Sequence, residues 1–425
     1  MWWKGISDVG ISPSPAPIPN ASTSPEHETP GHPPPGRELH PPPGRTGRTL
    51  RPLGESLTFH TLDLSRPVGN PMLPFLYQRV VRPVLFRFDP EMIHDSFVAL
   101  GEQVGRRRAG RALLSGMYGY RGPDASVTVD GLRYRTPVVL AAGFDYNGRL
   151  LRVLPRMGFG GMEVGSVTAL PTPGNAPPRM SRLVRSRAIV VNKGLMNQGV
   201  EVVAERLGGA PPSDFVVGVS VARSNRAEVV GEEEGIEDYA ACLEHLVRND
   251  VGDFYTVNIS CPNVHGGESF SEPARLRRLL TRLGQVEHDR PVYAKMPINP
   301  SWDEFRRLAD VVAEHGLHGM VIGNLNKEYD ELLHPEEAPA SYQGGLAGLP
   351  CRERSTELLA RTREAYGDRF TLVGCGGILS ADDAMEKFRA GANLVQLISG
   401  MIFTGPHLMG RIAGAWAREF GGQGA

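Results

Sequence analysis

The run Tyr255-Thr-Val-Asn-Ile-Ser-Cys-Pro-Asn263 carries an apolar strand into a compact polar cluster built around one thiol. In a parallel barrel, the carboxyl end of a strand is where chemistry is assembled. Asn258 and Asn263 offer amide donors and acceptors suited to a small flat ligand with carbonyl, carboxylate or ring N–H groups. Cys261 lies between them, a thiol with an ordinary pKa near ~8.5 that takes up a proton where its surroundings help. The plain alternative is a buried structural cysteine beside a turn.

Outward from this run the same pattern repeats. Apolar segments at Val138–Ala142, Gly161–Gly165, Phe215–Val221, Phe254–Ile259, Val292–Met296, Gly319–Gly323, Thr371–Gly374 and Leu394–Ile398 alternate with helical stretches, the mark of a parallel sheet. Eight strands in one continuous alternation predict an α/β fold of the (β/α)8 TIM-barrel type, in which ~250 residues serve as one domain. An open doubly wound sheet is the rival, and the lack of G-x-G-x-x-G after an early strand counts against it. Val127–Tyr134 reads as a small hairpin ahead of the barrel.

If the strands close into a barrel, the residues that follow them converge. The first strand ends in Ala142-Gly143-Phe-Asp-Tyr146, the second in Gly165-Ser166, and the third near Ser220. The fourth gives Asn258 and Cys261, the fifth Lys295 and the sixth Asn324. Glycine turns follow the last two, with Gly376 and Gly377 after the seventh and Ser399-Gly400 after the eighth. Such turns suit a phosphate because bare backbone N–H groups approach an anion closely, and Gly344-Gly-Leu-Ala-Gly348 forms a third glycine loop. Lys295 has no acidic neighbour in sequence and reads as facing a ligand's negative charge, with a salt bridge to a distant carboxylate as the alternative. A phosphate site with a lysine, many amides and no metal ligands points to flavin mononucleotide (FMN). On that reading Cys261 is the base that removes a proton as hydride leaves the substrate.

Bulk properties narrow the class. The chain has 425 residues and a net charge of −1, so no global field favours nucleic acid, and no nucleic-acid-binding signature occurs. Four cysteines, Cys242, Cys261, Cys351 and Cys375, form no C-x-x-C pair, which argues against zinc, an iron–sulfur cluster or a disulfide framework. No run of about twenty apolar residues is present, and the amino terminus lacks the apolar core of a signal peptide. Residues 1–71 are expected to be a disordered tail, because the proline- and glycine-rich stretch Ile11–Arg51 buries too little apolar surface to offset its ordering entropy. Residues 72–118 read as an amphipathic helical pair. Phe75, Leu76, Val80 and Phe86 lie beside Arg79, Arg82 and Arg87, and Asp89-Pro90-Glu91 opens a second helix that carries Ile93, Phe97, Leu100 and Val104. Docking on a membrane surface and packing on the barrel are the two readings of this pair. Residues 119–425 then form the barrel.

From Leu73 to Gly421 the chain resembles the dihydroorotate dehydrogenases, through LYQRVVRPVLFRFDPEMIHDSF, PVVLAAGFDYNG, GFGGMEVGSVT, TPGNAPPR, VNISCPN, GGLAGLP, VGCGGI and AGANLVQLISGMIF. The helical pair followed by FDPE resembles the membrane-associated class, whose members pass electrons from FMN to quinone through a tunnel between such helices. The resemblance implies dihydroorotate as substrate, quinone as electron acceptor, and a peripheral place on the cytoplasmic side of the cell membrane. It implies that Asn197, Asn258, Asn263 and Asn324 hold the substrate. FMN contacts are implied at Ala142, Gly143, Ser166, Ser220, Asn258 and Lys295, and on the glycine turns at Gly348, Gly376, Gly377, Ser399 and Gly400.

Cys261 stands at the position of the family's base, which is normally serine in the membrane class and cysteine in the soluble one. Tyr146 stands where the family has a lysine, Val191 and Ser220 where it has asparagines, and Leu325 where it has a hydroxyl residue. Each hydrogen bond lost to a charged ligand costs about 1.5–3 kcal/mol. Two further expectations therefore stand beside the first: a related, less anionic cyclic amide as substrate, or a catalytically silent flavin-binding paralogue on the membrane.

Overall fold

A computed structural model describes residues 72–209, 214–260, 270–338 and 344–421. All of these belong to one compact unit. The tail 1–71 and the site candidates Cys261 and Asn263 lie outside the described residues.

Eight parallel strands close into a barrel in chain order: Val138–Leu140, Gly161–Val167, Val216–Val221, Phe254–Asn258, Val292–Met296, Gly319–Ile322, Thr371–Cys375 and Leu394–Leu397. The last pairs with the first, Gln396 opposite Val139. Both faces of these strands are covered, and every residue of Val216–Val221 is buried, which is why the sequence shows apolar runs rather than a strict polar alternation.

The hairpin Val127–Val129 and Leu132–Tyr134 turns through Asp130-Gly131, both at positive φ, as a two-residue hairpin turn requires. Its Val129 and Tyr134 pack with Val139, Val216, Phe254, Tyr293 and Leu394 near the starts of the barrel strands. One mouth of the barrel is thereby plugged, and the site is left to the other.

A second, three-stranded antiparallel sheet pairs Ala188–Val191 with Met180–Leu183 on one side and Gly345–Gly348 on the other. Gly344–Gly348, read from sequence as a loop, is therefore largely a strand. Its glycines serve close approach: a Cβ on Gly345 would lie 2.3 Å from Leu325 Cβ, and one on Gly348 would lie 2.4 Å from Arg187 O.

The amino-terminal segment forms three helical pieces rather than a pair. Met72–Leu85 runs through one wide π turn at Tyr77–Val81, Pro90–Arg106 follows, and the extended Arg107 separates it from Arg108–Tyr118. Asp89 caps the middle helix, its carboxylate accepting from Met92 N at 2.8 Å, with Pro90 at the first helical position where no donor is lost. The first piece is tied to the barrel: Tyr77 donates to Ile402 O at 2.6 Å, and Gln78 and Arg82 donate to Phe403 O. Its other side leaves Phe75, Leu76, Val80 and Val84 exposed beside Arg79. Among the described residues, no helix is long and apolar enough to cross a membrane.

Candidate active site

The open mouth of the barrel holds a cavity of about 540 Å³. Its floor is made by residues that end the strands: Ala142 and Gly143, Ser166, Asn258, Lys295, Asn324, Gly376 and Gly377, and Ser399. Gly348 of the second sheet joins them. The walls become apolar toward the helices, where Ile93, Phe97, Leu100, Leu114 and Met117 line the outer end. Phe97 and Leu100 are also exposed, so the cavity reaches the surface between the helices.

The floor carries one continuous polar chain. Asn258 donates to Ser166 Oγ at 2.9 Å, and Ser166 shares a hydrogen bond of 2.8 Å with Ser220. Asn324 Nδ2 donates to Asn258 Oδ1 at 3.2 Å and to Ser260 Oγ at 2.7 Å, and Ser260 donates to Lys295 O. Each side chain fixes the rotamer of the next, so the amide edges are set before a ligand arrives.

Two groups in the wall remain unspent. Lys295 is 6% exposed, and its ammonium makes no hydrogen bond or ion pair with any described residue. Gln396 gives its amide N–H to Glu163, while its Oε1 is buried without a partner among the described residues. A buried ammonium and a buried acceptor are costly unless something meets them. Beside them Gly376 and Gly377 adopt φ of +98° and +73°, with the start of the preceding helix, Arg352–Tyr366, pressed behind them: a Cβ on Gly377 would lie 2.3 Å from Arg352 Cβ. A lone cation, a preset amide chain and bare backbone at one end of an apolar slot fit FMN.

Three expected ligand contacts do not reach the cavity wall. Asn197 spends its amide within its own loop, donating to Thr168 Oγ1 and Leu195 O and accepting from Gly199 N. Ser220 stands one step behind Ser166. Gly400 packs against the seventh-strand turn, where a Cβ would lie 2.1 Å from Ile378 O. Cys261 and Asn263 follow Ser260, the last described residue of that strand end.

The thiols in the described wall are poor bases. Burial pushes Cys351 up to about 12, and burial also raises Cys375, with Lys295 pulling the other way. Tyr146, Val191 and Leu325, the apolar or neutral departures, all line the wall. Asn192 does not fill the place at Val191, since it accepts from Asn175 Nδ2 at 2.8 Å and is absent from the wall. Sequence reading missed Ser260, Gln396 and Lys193. Ser260 was within the opening motif, but Lys193 and Gln396 gave no local sign of where they point.

The dihydroorotate dehydrogenase family model matches residues 124–418. A dihydroorotate dehydrogenase (quinone) from Chelativorans sp. (strain BNC1) is 35% identical over 347 residues, covering 79% of this chain and 90% of the relative. One from Salinispora arenicola (strain CNS-205) is 37% identical over 346 residues, covering 81% and 99%. Among solved structures, that of dihydroorotate dehydrogenase from Eimeria tenella in complex with ferulenol superposes with a TM-score of 0.69 at 25% identity, covering 80% of this chain and 96% of that one.

Proposed function

The chain belongs to the dihydroorotate dehydrogenase family, and from that premise we propose that it oxidises dihydroorotate to orotate with a quinone as electron acceptor, a step of pyrimidine biosynthesis. The observation that carries this reading is the two-ended cavity. Its floor holds Asn258, Asn324 and Lys295, while its outer end is apolar and opens between the amino-terminal helices. A polar heterocycle suits the first end and an apolar acceptor the second.

FMN, the cofactor of this family, would supply the redox chemistry that accepts the substrate's hydride. Lys295, Asn258, Ser166, Ala142, Gly143 and the backbone at Gly348, Gly376, Gly377 and Ser399 hold it on this reading. Asn258, Asn263 and Asn324 orient the substrate ring. Cys261, directly after the anchored Ser260, accepts the ring proton. A thiol ionises far more readily than a serine hydroxyl, so cysteine at this position preserves general-base work. The exposed Phe75, Val80 and Arg79 surface rests on the membrane, which brings the cavity mouth to the quinone.

Addition of dihydroorotate to the anaerobic, FMN-loaded full-length protein tests the reaction: bleaching of the flavin absorbance is expected. Cys261→Ala is expected to keep its flavin and to lose at least a hundredfold in bleaching rate, the scale of general-base catalysis. Unchanged bleaching excludes the thiol as base. Tyr146, Val191 and Leu325 in the wall favour a second reading, a less anionic cyclic amide as substrate. Bleaching by such an amide and not by dihydroorotate selects it.

A further inference from the structure

We infer that Lys193 is the counter-charge for the substrate's carboxylate, held in place by Glu91 of the amino-terminal helix. The inference rests on the proposed reaction and deepens it, because it names what makes the site selective for an anionic ring. Dihydroorotate and orotate carry a carboxylate. Placed in a slot with apolar walls, that charge needs a cation, since an unpaired buried ion is strongly disfavoured.

Few side chains in the described wall meet that need. No carboxylate lines it, and its cationic side chains are Lys295, Arg182 and Lys193, with His94 as a titratable neighbour. Lys295 stands at the floor, at the end of the fifth strand, where the flavin reading uses it. Arg182 is at the outer end, donating to Leu85 O and Phe88 O, with its guanidinium 4.9 Å from the Phe86 ring centre. His94 spends both ring nitrogens, on Phe144 O and on Asp95. Lys193 remains, in the loop after the central strand of the second sheet.

Its surroundings hold it in place. Lys193 Nζ lies 2.8 Å from Glu91 Oε1, and Arg179 approaches the same carboxylate at 2.7 Å. Two cations share one anion, so the cluster retains a net positive charge. The ammonium has three donors, and Glu91 uses one. It also stands 5.4 Å from the centre of the Tyr146 ring, whose electron-rich face favours a cation. Asp95, the other acid nearby, is paired with His94, and its side chain is 59% exposed, so solvent screens it. Tyr146 is therefore not simply a lost cation. It is the platform beside which a cation from another loop is seated.

The test is equilibrium binding to the FMN-loaded full-length protein, read by the flavin spectrum, with orotate and with uracil as the carboxylate-free ligand. Lys193→Met is expected to keep its flavin, bind uracil as the parent does, and weaken orotate about ten- to a hundredfold. Lys193→Arg is expected to restore most of the orotate affinity. Should Lys193→Met fail to fold, Lys193→Gln keeps a hydrogen-bonding group beside Glu91 and is expected to show the same selective loss. Orotate binding unchanged in these variants, or lost in step with uracil binding, overturns the assignment of Lys193 alone. A parent protein that holds flavin but neither binds orotate nor bleaches with dihydroorotate overturns the functional reading, and this inference with it.

Discussion

Two buried lysines show how much a single residue's meaning depends on what surrounds it. Lys295 faces the cavity with no described partner, whereas Lys387 donates to Ser355 Oγ at 2.7 Å and Thr356 Oγ1 at 3.0 Å inside the shell of the barrel. Burial pulls Lys387 down to about 8, although its thiol and carboxylate neighbours oppose the shift. The unfolded chain holds that proton up to the ordinary lysine value near ~10.4. Between about pH 8 and 10 the unfolded state therefore binds more protons than the folded one, and stability contributed by this residue rises with pH. Below pH 8 both states carry the charge, and the burial cost is fully present. Urea unfolding of the parent and of Lys387→Met at pH 7 and pH 10 should show the difference moving in favour of the parent at the higher pH; a pH-independent difference would refute the shift. The sequence distinguishes their settings, Lys295 in the apolar strand Val292–Met296 and Lys387 after Glu386 in a helix, but not their partners, which are distant in the chain.

At the scale of elements, local signals were legible wherever the cause was local. Asp89-Pro90-Glu91 announces a helix start because the cap, the proline and the first-turn acid act on adjacent backbone groups. Asp89→Ala should destabilise Pro90–Arg106 by about 1 kcal/mol, seen as faster amide hydrogen exchange in its first two turns with the barrel strands unaffected. The same tripeptide holds a second role that no local rule exposes: Glu91 reaches Lys193 and Arg179, about a hundred residues away. The glycine stretch at Gly344–Gly348 fails in the opposite direction. Its composition reads as a loop, yet it pairs with Ala188–Val191, because bare glycine backbone lets Leu325 and Arg187 pack against it closely.

For the whole molecule, stability lies in the closed barrel and its helical shell. Leu140, fully buried in the first strand beside the closing seam, belongs to the main core, and Leu140→Ala should cost about 2–5 kcal/mol in chemical denaturation. A much smaller loss would mean that the seam relaxes around the cavity. The eight-strand alternation, the hairpin and the convergence of Ser166, Asn258, Lys295, Asn324, Gly376 and Ser399 were all implicit in the sequence, since each follows from strand order and from which end of a strand a residue occupies. Side-chain direction was not. Asn197 and Ser220 stand at a strand end or in a neighbouring loop yet are absent from the cavity wall, while Lys193 and Gln396 line it. The amino-acid sequence by itself determined the fold and the composition of the site, because apolar periodicity and strand-end chemistry are properties of neighbouring residues. Which strand-end side chains line the cavity, and that Lys193 meets Glu91 beside Tyr146, only the tertiary structure decided, because those contacts join loops far apart in the chain and exist only once the barrel has closed.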